Sequence, residues 1–593
     1  MTSPVRYTIQ AIQPAAHLFE VTLSLSDPDP AGQVFSLPAW IPGSYMIREF
    51  AKNIVSLSAR AGGKALAVTK SDKHTWHLPA GVVGPVTLSY TVYAWDLSVR
   101  TAHLDQTHGF FNGTSVFLCA HGHEAAPQWV DIRPPKGLED AGWRVATSLP
   151  EAVGERGAAE RYGFGLYRAE DYAALIDHPV EMGSFTLAEF DACGVPHAVA
   201  ITGRHDCDPI RLVEDLKPVC EAQIRLFGEP APMDRYVFLV MAVGDGYGGL
   251  EHRASTALLC SRGDLPWAGM ETPSEAYRQF LGLCSHEYFH TWNVKRIKPV
   301  AFVPYDLTRE NYTRLLWAFE GFTSYYDDLM LVRTGRIAEK DYLTLLGKTV
   351  SQVHKGSGRK KQSVAESSFE AWTKYYRQDE NSPNAIVSYY TKGALVALLL
   401  DLRLRAGSKG SRSLDDLMRA LWLRHGRTGV GVGEDGIFAL TAEIGGVEMG
   451  EWLRELVEGT DDLPLQAWLG RFGIALNWEA ASEAPGFGVR TGAEGDLLKL
   501  ANVYDGGSAQ AAGLSAGDVL VALDGLKVSA GNFDKLLARR VAGDRVQVHA
   551  FRRDELMCFD VELLAAPKDT AKLTLAEDAS APAVALREGW LKG

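Results

Sequence analysis

Short runs in which apolar and polar residues alternate dominate roughly the first 165 residues. Tyr7–Ile12, Leu18–Leu25 and Val86–Tyr93 read as strands, because residues i and i+2 of a strand share one face. Pro, Gly and Asp turns bound them, as in a sandwich. From about 166 to 265 the pattern is mixed, with strands predicted at His197–Ile201 and Tyr236–Val243. From about 266 to 465 the apolar period lengthens to that of helices. They are predicted at Ser274–Val294, Arg314–Thr334, Glu339–Lys355, Thr391–Arg405, Leu414–His425 and Met449–Glu458. Gly356–Ser363, rich in Lys, Arg, Gly and Ser, reads as a mobile loop. The expected fold is multidomain α+β. It has a β-sandwich-like domain over 1–165, a central domain with a sheet lobe and a helical lobe over 166–470, a third domain over 484–567 and a tail over 568–593. The tail, rich in Ala and acids, is expected to be poorly ordered apart from Trp590.

Length supports this division, since 593 residues exceed what one core holds. Apolar residues at 46% and charged residues at 22% are ordinary for a globular chain. The net charge of −13 argues against a nucleic-acid partner, which would need a basic face. Seven scattered cysteines without a CxxC signal neither a disulfide framework nor a thiolate metal site. The N-terminus lacks the apolar core of a secretory signal, and the longest apolar runs, such as Ala394–Leu400, fall far short of a membrane span. The expectation is a cytoplasmic protein.

The candidate chemistry centres on His286-Glu287-Tyr288-Phe289-His290, an HExxH pentad. On a helix, residues four apart share a face. Two imidazoles at that spacing can reach one zinc ion, at about 2.0–2.1 Å, and the intervening Glu can take a proton from a water on the metal. The bland alternative is two chance histidines on an ordinary helix. A catalytic zinc uses three protein ligands and leaves one position for water. Downstream, Glu320 lies in the apolar, aromatic run Leu315–Tyr326. A carboxylate buried there needs a cation, either a metal or one of Arg309 and Arg314.

HExxH followed by Glu-Gly-Phe-Thr (320–323) resembles the gluzincin metallopeptidases, the group of thermolysin and aminopeptidase N. The wording His-Glu-Tyr-Phe-His-Thr-Trp-Asn-Val-Lys-Arg-Ile-Lys-Pro (286–299) and Trp-Ile-Pro-Gly-Ser-Tyr-Met-Ile-Arg (40–48) is similar to one branch, the glycyl aminopeptidase family. The resemblance implies a thermolysin-like catalytic domain over 166–470 with one Zn2+ per chain. It implies His286, His290 and Glu320 as zinc ligands and Glu287 as general base. Gly248-Gly249-Leu250-Glu251-His252 stands where related enzymes carry Gly-x-Met-Glu-Asn, whose backbone binds the peptide along an edge strand and whose Glu pairs with the free amine. Glu251, Gly248 and Gly249 are the implied substrate-binding residues. Leu250 and His252 depart from that pattern, and a Glu in a Gly-rich turn is the plain alternative. Tyr390-Thr391-Lys392-Gly393 resembles the Tyr-x-Lys-Gly motif, which implies Tyr390 as the oxyanion donor, with Tyr389 as its rival. Tyr45, Arg48 and Asn112 stand either as substrate-facing or as plain loop residues.

Pro485-Gly486-Phe487-Gly488-Val489, followed by Gly513-Leu514-Ser515-Ala516-Gly517-Asp518-Val519-Leu520, resembles a PDZ domain. The resemblance implies that Gly486, Phe487, Gly488 and Val489 present backbone N–H groups to a C-terminal carboxylate while the peptide adds as a strand. A packed structural appendage is the equal alternative. The expected function is a zinc aminopeptidase acting on peptides with a free N-terminus and preferring Gly or Ala there. The rivals are a gluzincin endopeptidase or other zinc hydrolase, and a catalytically silent PDZ scaffold. A structural zinc protein is weaker still, since such sites favour cysteine-rich closed coordination.

Overall fold

The computed structural model describes residues 3–593. The chain forms two compact units. The first holds residues up to Asn311 together with Leu421–Val432; the second holds Tyr312–Ala420 and Gly433–Gly593. The central segment expected as one domain is thus divided between them. No helix among the described residues is long and apolar enough to cross a membrane.

The first unit opens with a seven-stranded sheet in which Val5–Gln13, Leu18–Leu25, Val86–Tyr93 and Ile54–Ala61 are successive neighbours. Alternation explains it: Val5, Tyr7, Ile9 and Ala11 face the core, and the residues between them do not. All its pairings are antiparallel except that of Val5–Gln13 with Gln128–Arg133. The boundary expected at 165 falls inside this β-structure. Gly165–Ala169 returns to pair with Gln128–Arg133, and Val180–Gly183 pairs with His108–Phe111 in a smaller sheet.

A five-stranded sheet follows, in the order Thr186–Ala192, Val195–Thr202, Tyr236–Val243, Ser255–Ser261, Tyr247–Glu251. Its three middle strands are parallel, and the helix Pro209–Phe227 makes the crossover between the first two of them. The last strand, Tyr247–Glu251, runs antiparallel along one edge. The helix Glu275–Phe289 packs against this edge and its neighbour. It was expected to reach Val294 but stops at the second histidine of the pentad. There the carbonyls of His290 and Trp292 accept from Lys295 and Ile297, five residues on, so the chain turns back instead of continuing the four-residue ladder.

The second unit is mainly helical before residue 470. Glu339–Lys355 lies where the apolar period puts it. The helix expected over Arg314–Thr334 is interrupted at Glu320, giving Leu316–Phe319 and Gly321–Arg333. The helix Leu414–Leu421 ends short of the expected His425, and the π-turn Trp422–Gly426 that follows belongs to the first unit. The segment read as a mobile loop is a 3-10 turn over Ser357–Lys360. Its charges are taken up by acids from distant positions: Arg359 and Lys360 meet Asp462 at 2.8 Å, and Lys361 meets Asp505 at 2.6 Å.

A separate sheet over Val489–Glu562 encloses its own core of Phe487, Leu500, Leu520, Val548 and Val561. Asn384 Nδ2 donates to the Val503 carbonyl, and Asn502 Nδ2 donates to that of Glu380, so this module is tied to the helices of the same unit. The tail departs from expectation. Thr570–Leu575 pairs with Ile474–Glu479, and Ala581–Leu591 is a helix. Trp590 is fully buried and its indole N–H donates to the Tyr325 hydroxyl at 2.8 Å. The burial of one large aromatic outweighs the tail's polar composition.

Candidate active site

In the first unit the pentad lies at the end of the helix Glu275–Phe289. Ser274 caps its start, accepting from the Tyr277 N–H at 3.1 Å. Phe280, Leu281, Cys284 and Tyr288 are buried, and the Tyr288 ring packs on Tyr236 and Phe238 of the sheet. Tyr288 is also fixed through its hydroxyl, 2.9 Å from His197 Nε2. An anchored apolar face sets the direction of the polar one. The Nε2 atoms of His286 and His290 end 3.1 Å apart. His290 Nδ1 lies 2.6 Å from the Asn293 carbonyl. A carbonyl only accepts, so Nδ1 carries the proton and Nε2 turns a lone pair toward His286. A backbone hydrogen bond of this kind orients metal-binding imidazoles. Two imidazoles converging with one lone pair so aimed fit a divalent cation with nitrogen preference.

Glu287 faces the edge strand. A Cβ at Gly249 would run into the Glu287 carboxylate, so only glycine allows this approach. Gly248 has open space apart from the tip of Arg100, 3.9 Å away. We expect Gly249→Ala to retain bound metal and to lose about 10²-fold in turnover, the cost of misplacing a reacting group by about 1 Å. Unchanged kcat would show that the strand does not position Glu287.

Glu251 ends the same strand and is 3% exposed. Its Oε1 is buried and has no hydrogen-bond partner among the described residues. Its carboxylate rests on Gly43, where a Cβ would stand 2.5 Å from both oxygens and where φ is +100°. Glycine alone satisfies both constraints. Glu251, Glu287 and His290 bring ligand atoms within 4.8 Å of one another. A buried carboxylate oxygen left open is costly and calls for a cation.

The departure at His252 has a structural account. His252 Nδ1 lies 3.3 Å from Asp177, which also receives Lys295 at 2.6 Å. Burial alone would raise the Asp177 carboxyl, but Lys295 and His252 hold it well below the usual carboxylate range. His252 thus belongs to an ion cluster beside the edge strand. Tyr45 stacks on Phe302, Arg48 donates to Ser44, and Asn112 donates to the Val99 carbonyl.

The second unit brings Glu320 and Tyr390 together. Gly321 and Gly393 let two helices cross closely: a Cβ on Gly321 would lie 2.6 Å from Gly393 Cα. Glu320 precedes the first helix and Tyr390 the second, at Thr391–Ser408. Burial, then the Glu320 carboxylate, push the Tyr390 hydroxyl well above its usual range. It keeps its proton near neutrality and can donate. Tyr389 is fully buried, whereas Tyr390 is partly exposed. Arg309 is taken by Asp306, and Arg314 lies over the Phe369 ring.

Tyr376, whose hydroxyl is 3.3 Å from that of Tyr390, carried no sequence signal. Gly43 did carry one, in the Trp40–Arg48 wording, but its partner Glu251 is 208 residues away and no spacing rule joins them. Gly486–Val489 lies elsewhere in the second unit. Gly486 bridges Leu564, Phe487 is buried, Gly488 has φ +77° and packs on Gly507, and Val489 opens an exposed edge strand.

Comparison with known families matches residues 6–184 to the Peptidase M61 N-terminal domain and residues 279–396 to the M61 glycyl aminopeptidase domain. Among solved structures, the chain is similar to an aminopeptidase N family protein from Idiomarina loihiensis. That similarity has 43% identity and a TM-score of 0.94, over 99% of this chain and 100% of that one. Curated proteins give no match.

Proposed function

Since the chain belongs to the M61 glycyl aminopeptidase family and is a peptidase, we propose that it is a zinc-dependent aminopeptidase that removes small residues, Gly or Ala, from free N-termini. The observation that carries this reading is the open, buried oxygen of Glu251 beside Glu287 and the aimed Nε2 of His290. His286, His290 and Glu320 would hold the zinc. When bound, zinc lowers the pKa of water toward neutrality and polarises a carbonyl.

The chain's own residues do the rest. Glu251 receives the ammonium of the first residue, so only the first peptide bond is presented. The edge strand Tyr247–Glu251 offers its free backbone to the peptide. Glu287 takes the proton of the attacking water and returns it to the leaving amine. Tyr390 donates to the oxyanion of the tetrahedral intermediate. Gly43, set directly against Glu251, supports a small first residue.

The test is a panel of aminoacyl chromogenic amides beside their N-acetylated forms, with and without chelator. Free amides should be cleaved and blocked ones spared, and chelation should stop the reaction. Equal cleavage of blocked substrates would replace this reading with an endopeptidase. Glu251→Ala should lower kcat/KM on free amides by about 10- to 150-fold, the worth of a hydrogen bond to a charged group, with metal content unchanged.

We read residues 484–567 as a PDZ module. Its exposed edge strand Val489–Glu494 begins at the Gly486–Val489 turn, the arrangement that accepts a C-terminal peptide as an added strand.

A further inference from the structure

One face of the first unit runs against the charge of the whole chain. The chain carries −13, yet a cleft of about 1400 Å³ is lined by seven Lys and Arg side chains and only three Asp and Glu. The cations arrive from segments far apart in sequence, at Arg168, Arg253, Lys295–Lys298 and Arg427. The acid that could neutralise them is already shared: Asp177 meets Lys295 at 2.6 Å, His252 at 3.3 Å and Arg253 at 3.8 Å.

Arg235 is neutralised by Glu151, at 2.8 Å to both carboxylate oxygens, and the other cations of the cleft are held differently. Arg296 donates to the carbonyls of Arg253, Thr291 and Pro232 at 3.0, 2.7 and 2.6 Å. Those bonds fix the guanidinium, and the Asp177 carboxylate that its neighbours already share offsets its charge in part. Burial, then the Arg253 charge, depress it to about 10. Lys298 has its ammonium over the Tyr305 ring at 4.6 Å and, among the described residues, forms no ion pair. Burial, then Arg253 and Lys295, bring it down to about 7. Among the described residues, Arg168 and Arg427 meet no acidic partner either. Lys298, Lys295 and Arg253 also line an adjoining cavity of about 630 Å³, so the charge is accessible from two sides. Cations that repel one another at depth form a field that an anion would relieve.

We propose that this basic cleft binds a small anion bearing phosphate groups, with Lys298, Arg296, Arg253 and Arg427 as its contacts. The Arg296 guanidinium fork, held rigidly by backbone carbonyls, matches the oxygens of a phosphate. The recessed positions of Arg296 and Lys298 suit a compact group better than an acidic polypeptide. Neither the metal nor its ligands enter this site.

The test uses the full chain and inorganic phosphate, with chloride at matched ionic strength as control. Acylation of Lys298 near neutral pH is followed by mass spectrometry. A bound dianion raises the Lys298 pKa and should slow its acylation by about fivefold or more, whereas chloride should not. Calorimetric titration should show saturable phosphate binding, weakened by about tenfold or more in Lys298→Met. Arg427→Ser, an exposed substitution, should weaken it in the same direction and serves if the buried variant fails to fold. Three results would overturn the proposal: no protection of Lys298 by millimolar phosphate, equal protection by chloride, or binding of an oligoglutamate peptide where phosphate does not bind.

Discussion

Glu287→Gln is expected to keep its metal and to lose about 10²–10⁴ in turnover, the usual contribution of a positioned general base. The substitution preserves shape, so the edge strand packed on residue 287 has no cause to move. It removes the one carboxylate that lies between the two histidines in sequence and, in space, beside both His290 and Glu251. Metal content by elemental analysis and kcat on a free glycyl or alanyl amide are the paired measurements. Normal turnover with full metal would remove Glu287 from the reaction. Lost turnover with lost metal would make it a metal-supporting group instead.

Glu320→Ala is expected to release the metal, leaving well below one equivalent per chain after dialysis, and activity should fall in proportion. Two histidines alone are one ligand short of a catalytic zinc site, and Glu320 is 1% exposed. Tyr390 sharpens the test. Because Glu320 helps to raise the Tyr390 hydroxyl, the variant should also bring that phenol down relative to the metal-free parent, visible as tyrosinate absorbance appearing at lower pH when both are compared after metal removal. Retained zinc with retained activity would end the ligand assignment. Retained zinc with a shifted tyrosine would leave Glu320 as a neighbour of Tyr390 only.

Much of the local structure was legible before any coordinates. Leu18–Leu25, Val86–Tyr93 and Tyr236–Val243 are strands, and Glu339–Lys355 is a helix, over the predicted residues. Each is a run in which one period dominates, and period is a property of neighbouring residues. The errors fall where a distant partner decides. The helix of the pentad ends at His290 because the following residues fold back onto its carbonyls. Ser357–Lys360 is ordered because Asp462 and Asp505 meet its basic flank. The final residues are ordered because Trp590 finds a core.

The sequence by itself determined the alternating and helical segments, the four-residue spacing that puts His286 and His290 on one helical face, and the Gly-rich strand that carries Glu251. Only the tertiary structure decided which nitrogen of His290 carries a proton, that Gly249 and Gly43 stand against Glu287 and Glu251, and that cations from positions 168 to 427 converge on one cleft. Spacing along a chain fixes direction within a helix or strand. Protonation, close approach and local field depend on what long-range packing brings alongside.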